Sequence, residues 1–190
     1  GIRGTGWFLS PRLMVTAAHV VDAMHLSTQD WKEIEFRARE TRILIPTRIL
    51  RFEGSYSERM AVLDLRTAFP QATTLPVRAE PLVPGERVIS IAYPNSHLRF
   101  AEGRFVNYGA DERFSGAALL EMHDGNDRLV LDHGASGAPV LDCQGRVVAV
   151  VSTLITQTLR FPSGAVRVST AWQTPNVVSM PAETLRTFSV

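Results

Sequence analysis

Apolar and polar residues alternate along most of this chain in short runs, each closed by a turn residue. "TGWFLS" (5–10) and "LMVTAA" (13–18) flank Pro11-Arg12 and predict a hairpin. "RILIPTRILRF" (42–52) alternates around Pro46, which implies a bulge or an edge. "MAVLDL" (60–65), "RVISIAY" (87–93), "GRFVNYG" (103–109), "ALLEMH" (118–123) and "DRLVLD" (127–132) read as further strands. "APVLD" (138–142) and "RVVAVVST" (146–153) follow, joined by a tight turn at Cys143-Gln144-Gly145. Helical signals are sparse. "TAAHVVDAM" (16–24) supports one short turn, and "PAETLRTF" (181–188) starts on a proline suited to a first helical position, with Leu185 and Phe188 on one face. The chain is therefore expected to be all-β with a short C-terminal helix. Closed antiparallel barrels suit that many short strands.

Composition narrows the function without naming it. The 190 residues carry a net charge of +1 and no basic run, so no nucleic-acid partner is expected. The longest apolar stretch, "RVVAVVSTLI" (146–155), is too short to cross a bilayer, and no membrane partner or signal peptide is expected. Cys143 is the single cysteine, which rules out an internal disulfide and a metal site of four thiolates. A reducing compartment is thereby permitted; the cytoplasm is weakly favoured and secretion stays open. No cofactor or metal is expected. A motif already at residue 4 suggests a module of a larger protein.

The chemistry concentrates in "DHGASGAPVLD" (132–142), where two glycines flank Ser136. Such a stretch is an ordinary turn on one reading. On the other, small residues let the backbone curl until its amides converge beside a serine hydroxyl, as an oxyanion hole beside a nucleophile requires. A serine hydroxyl is a poor nucleophile unless a base takes its proton. His19 supplies one: it follows an apolar strand and two alanines, which leave room to hold an imidazole at one angle. An isolated histidine there would more simply be a core residue.

"GTGWFLSPRLMVTAAHV" resembles the histidine block of trypsin-like serine peptidases, and "GASGAPVLDCQGRVVAVVS" resembles their serine block in its disulfide-free bacterial form. "RMAVLDL" is similar to the block that carries the acid, and "TPNVVSMPAETL" to the closing strand and helix. The spacings, 40 residues from His19 to Arg59 and 77 from Arg59 to Ser136, are similar to those of the glutamyl-endopeptidase branch. The resemblance implies a chymotrypsin-like pair of six-stranded antiparallel barrels. The N-terminal barrel would span about 1–80, the C-terminal barrel about 81–180 and the helix 181–188. It also implies a serine endopeptidase acting on protein or peptide through Ser136 and His19, with the amides of Gly134 and Ser136 as the oxyanion hole.

One departure matters. Where the family has its orienting aspartate, directly before "MAVL", this chain has Arg59. Glu58 could take the role through a one-residue slip. Asp64 could do so only in a misregistered strand, because it lies an odd number of residues from 59 and faces the other side. The third reading is a pseudopeptidase or peptide-binding regulatory module. Ala135, in place of the aspartate of animal relatives, makes activation by an inserted amino terminus unexpected. By resemblance Val130, Leu131, His133, Thr153 and Leu154 line the substrate pocket, which would then be shallow and apolar. An esterase of the strand–elbow–helix type is excluded, since a strand and not a helix is expected after Ser136.

Overall fold

A computed structural model describes residues 4–38, 40–54, 58–92, 99–123, 135–154, 157–160, 162–164, 166–169 and 175–188, with backbone alone at 154, 157–160 and 166–169. The first half holds β1 (Trp7–Ser10), β2 (Leu13–Ala17), the six-residue helix α1 (Ala18–Ala23), β3 (Lys32–Ala38), β4 (Thr41–Glu53) and β5 (Met60–Leu65). These strands form one antiparallel sheet in the order β1-β2-β5-β4-β3. The second half holds β6 (Arg87–Ala92), β7 (Arg99–Tyr108), β8 (Ala118–His123), β9 (Pro139–Leu141), β10 (Val147–Leu154), the β11 (Gln157–Arg160) and β12 (Val166–Ser169) hairpin, and β13 (Val177–Pro181). Six of these, β10-β13-β8-β7-β6-β9, close into a barrel.

The N-terminal half shows five strands in an open sheet among the described residues, where six in a barrel were expected. The outer edge of β1 is used by the linker: Leu75 donates to the Phe8 carbonyl at 3.0 Å, and Thr74 bridges Phe8 in parallel. The edges of β1 and β3 are not paired, and a cavity of about 140 Å³ is lined by Gly4–Gly6 and Ile34–Arg37 among others.

Burial explains the strand patterns. β5 lies between β2 and β4 with almost every residue buried, because its two faces serve two cores. Ala61, Leu63 and Leu65 pack into the N-terminal core with Phe36, Ile45 and Phe69. Met60 and Val62 face a shared core with Leu119, Val150, Val178 and Leu185 from the second half. That shared core holds the two halves together, at about 25 cal/mol for each Å² of apolar surface removed from water. The linker adds hydrogen bonds, with Val147 donating to Pro76 at 2.8 Å and Arg78 to Val147 at 3.0 Å.

Pro46 falls inside β4 rather than on an edge strand. Its missing N–H does no harm, because β5 has left the ladder at that point and Arg66 donates to the Pro46 carbonyl at 2.9 Å. The bulge lies a few residues on, between Ile49 and Arg51. The C-terminal helix begins at Glu183, as a 3-10 helix to Phe188, and not at Pro181, which ends β13. Leu185 enters the shared core as its spacing implied, and Phe188 packs beside it under the Arg51 guanidinium at 4.2 Å. β3 and the β11–β12 hairpin were not anticipated. The strand read over 127–132 lies outside the described residues.

Candidate active site

β2 carries the histidine. The strand ends at Ala17, whose extended backbone (φ −75°, ψ 145°) turns directly into α1, and His19 sits in the first turn. The amide of Ala18 donates to the Arg59 carbonyl at 2.7 Å, which ties the start of α1 to the start of β5. That bond places residue 58 opposite His19. Glu58 Oε1 lies 2.9 Å from His19 Nδ1 and accepts the backbone N–H of His19 at 3.1 Å. A first-turn amide has no partner inside its own helix, so one carboxylate oxygen satisfies it and fixes the ring together.

Glu58 is shifted in a direction that fits this geometry. Partial burial pushes its carboxyl up, but the side-chain and backbone hydrogen bonds from His19 and the attraction of its ring outweigh burial and hold it below the ordinary range. The pair is open to water, with the His19 side chain 46% exposed and that of Glu58 28%, so its Coulomb energy is well screened.

Arg59, where the family has aspartate, points elsewhere. Its exposed guanidinium lies 4.9 Å above the ring of Phe52, a partly buried side chain packed against the N-terminal core. Asp64 pairs across from Leu13 at the far end of β5, where Arg48 donates to it at 3.2 Å and Arg12 stands at 3.8 Å. The misregistered strand that Asp64 would need is absent.

Ser136 occupies a tight turn closed by the Ala138 amide on the Ala135 carbonyl at 2.9 Å. Gly137 there has φ +94°, a conformation that side chains rarely accept. Its amide donates to Val151 at 2.9 Å, and Val151 donates back to Ala138 at 2.9 Å, fastening the turn to β10. A Cβ at Gly137 would overlap the Thr5 carbonyl and the Thr16 hydroxyl and stand 3.0 Å from the Ala17 amide nitrogen. The serine turn thus lies directly on the strand that carries His19. The Ser136 hydroxyl itself donates to the Ser152 carbonyl at 3.2 Å, not to His19. Ser152 is the extra residue of a bulge in the β10–β13 pairing, between Val151 and Thr153, and such a bulge re-aims the local backbone.

Thr153 is exposed on β10, opposite Val178. Leu154 is described for its backbone alone, and Val130, Leu131, His133 and Gly134 lie outside the described residues. Ala135 is buried. Among the described residues no group of three His, Cys, Asp or Glu side chains converges as a metal would need, and no helix is long and apolar enough to cross a membrane. Thr5, Thr16 and Ser152, which touch the serine turn, were not singled out in the sequence. Only the run of small and hydroxylic residues before His19 hints at them.

A closed barrel packed on a smaller sheet, with histidine and serine blocks meeting between them, defines a chymotrypsin-like fold. Residues 4–150 match the trypsin-like peptidase domain, and the chain belongs to that family. Solved structures agree on the fold. The inactive form of the Rv3671c protease of M. tuberculosis is 18% identical, over 94% of this chain and 78% of that one, with a TM-score of 0.61. Deg5 is 17% identical, over 96% and 79%, with a TM-score of 0.63. AlgW, an HtrA-type protease solved with a decapeptide, is 13% identical over 95% of this chain and 48% of that one, with a TM-score of 0.62. No curated protein sequence matches the chain.

Proposed function

We propose that this protein is a serine endopeptidase in which Ser136 is the nucleophile, His19 the general base and Glu58 the orienting acid. The observation that carries the reading is the 2.9 Å contact between His19 Nδ1 and Glu58 Oε1. It gives the imidazole a carboxylate partner on one nitrogen and leaves Nε2 for a serine hydroxyl. Glu58 stands one residue before the family position, further from the strand, and its side chain is one methylene longer than aspartate.

In the reaction, Ser136 Oγ rotates from the Ser152 carbonyl to His19 and attacks the scissile carbonyl carbon as its proton passes to Nε2. Glu58 holds the productive tautomer and stabilises the imidazolium. The amides of Gly134 and Ser136 bind the oxyanion. His19 then gives the proton to the leaving amine, and water repeats the sequence on the acyl-enzyme. Val130, Leu131, His133, Thr153 and Leu154 line an apolar pocket, so the residue before the scissile bond is small or medium and apolar. The barrel at about 81–180 and the sheet at about 1–80 act as the two lobes of the cleft.

A second reading, a peptide-binding module that does not turn substrate over, draws support from the bond between the Ser136 hydroxyl and Ser152. A fluorophosphonate probe separates the two. Under the enzyme reading it modifies Ser136 alone, and both Ser136→Ala and His19→Ala abolish labelling, because nucleophile and base act as a unit. A folded protein with no labelled serine would favour the binding module.

A further inference from the structure

The distance between a nucleophile on the barrel and a base on the facing sheet has to be set by something, and here the contacts converge on one side chain. Thr16 lies three residues before His19 in the same stretch of chain, and its side chain is buried. Its hydroxyl donates to the Thr5 carbonyl at 2.8 Å. Thr5 in turn donates its amide to the carbonyl of Ser136 at 2.9 Å. Gly137, the next residue, presses on the same Thr5 carbonyl and the same Thr16 hydroxyl so closely that no Cβ fits between them.

We propose that Thr16 is a positioning residue for the peptidase reaction: through Thr5 and Gly137 its hydroxyl sets where Ser136 stands relative to His19. The inference rests on the assignment of Ser136 as nucleophile and deepens it. One short strand then places both reacting groups, His19 through the chain and Ser136 through the Thr16–Thr5 pair. The hydroxyl oxygen is suited to this. It donates to a buried carbonyl, and it is smaller than a methyl group at a contact with no spare room. Thr16 touches neither substrate nor reacting atoms, so its effect is on geometry.

The test compares Thr16→Val, which puts a slightly larger methyl group in the hydroxyl's place, and Thr16→Ala, which removes both hydroxyl and methyl, with Thr16→Ser, which keeps the hydroxyl. All three are measured on a peptide substrate, and by the rate of Ser136 modification with a fluorophosphonate. A misplacement near 1 Å costs on the order of 10²-fold in rate. Thr16→Val is therefore expected to lose kcat on that scale, with KM nearly unchanged and the labelling rate falling in parallel. Thr16→Ser should restore both. A folded Thr16→Val protein with wild-type kcat would overturn the proposal, as would a loss that Thr16→Ser does not repair. Thr16→Ala relieves the contact with Gly137, so it is expected to show the same loss as Thr16→Val, and it takes that variant's place if Thr16→Val fails to fold. Failure of both to fold, with Thr16→Ser normal, would show that the hydroxyl holds the fold and not the serine, and would also overturn it. A wild-type protein unreactive at Ser136 would instead defeat the nucleophile assignment itself.

Discussion

The Arg59 guanidinium lies 4.9 Å above the ring of Phe52, while its neighbour Glu58 reaches the imidazole of His19. Both residues precede β5, and the Ala18–Arg59 backbone bond ties this segment to the start of α1. The arginine that breaks the family pattern stacks on Phe52, and the carboxylate beside it makes the contact to the imidazole.

Glu58→Gln is the first substitution to make. Glutamine retains an acceptor for the His19 amide but cannot stabilise an imidazolium or hold Nδ1–H as a carboxylate does. Loss of the equivalent carboxylate function costs about 10⁴-fold in kcat where it is buried. With Glu58 partly open to water, a fall between about 10² and 10⁴ is expected, at nearly constant KM. Steady-state kinetics on a peptide ester would check it. Unchanged kcat would remove Glu58 from the mechanism.

Arg59→Asp should not create a better peptidase. An aspartate there would follow the arginine's direction, toward Phe52, and the one residue facing His19 would still be Glu58. Loss of the stacked cation at an exposed site costs about 0.5–1 kcal/mol of stability. The expected outcome is activity within a few-fold of wild type and a slightly lowered Tm. A rise of tenfold or more would mean that β5 can shift its start by one residue and seat the new carboxylate instead.

Gly137→Ala tests the turn. The backbone at φ +94° is strained for alanine, and its methyl would overlap Thr5 and Thr16. Strain of this kind costs on the order of 1–3 kcal/mol before the overlap is counted. Fluorophosphonate labelling should be lost and the unfolding midpoint lowered, whereas Gly145→Ala has open space around it and should lower the midpoint through φ alone. Equal losses in the two variants would contradict the close approach of the serine turn to β2.

Much of this arrangement was legible in the residues, and the reasons for the remainder are physical. β5 and β8 match their apolar runs residue for residue because both are buried on two sides. Ser136 and His19 stand out in the sequence because small residues surround each. The residues alone leave Glu58, Asp64 and a pseudopeptidase as alternatives, since which side chain meets His19 depends on a backbone bond between residues 41 apart. β3 was passed over although Ile34, Phe36 and Ala38 alternate with charges, because the charged residues dominate "KEIEFRA". Thr5 and Thr16 act through contacts with a turn more than a hundred residues away, which no local pattern encodes.

Acid should unfold this protein through a few identifiable carboxylates. Glu58 is held below its ordinary range, burial pushing it up but the His19 hydrogen bonds and charge prevailing. Asp142 is also held low: burial raises it, and the amides of Arg146 and Gln144 with the Arg146 side chain more than compensate. A folded pKa below the unfolded one means that the unfolded chain binds more protons at intermediate pH, so stability rises with pH there. The contribution is complete above the unfolded values, about 4.3 for Glu and 3.9 for Asp, and is lost as pH falls through the folded values. Asp142 should contribute more than Glu58, since its side chain is 4% exposed against 28% and it also meets Arg78 at 3.4 Å. Urea unfolding followed from pH 7 to pH 3 should show a stability that falls steeply below about pH 4.5. Asp142→Asn should lower stability at pH 7 and flatten that fall, because the missing group no longer takes up a proton on unfolding. Glu58→Gln should flatten it less. If Asp142→Asn leaves the slope as steep as in the wild type, the acid sensitivity lies elsewhere, and the Arg146–Asp142–Arg78 cluster is not what acid breaks.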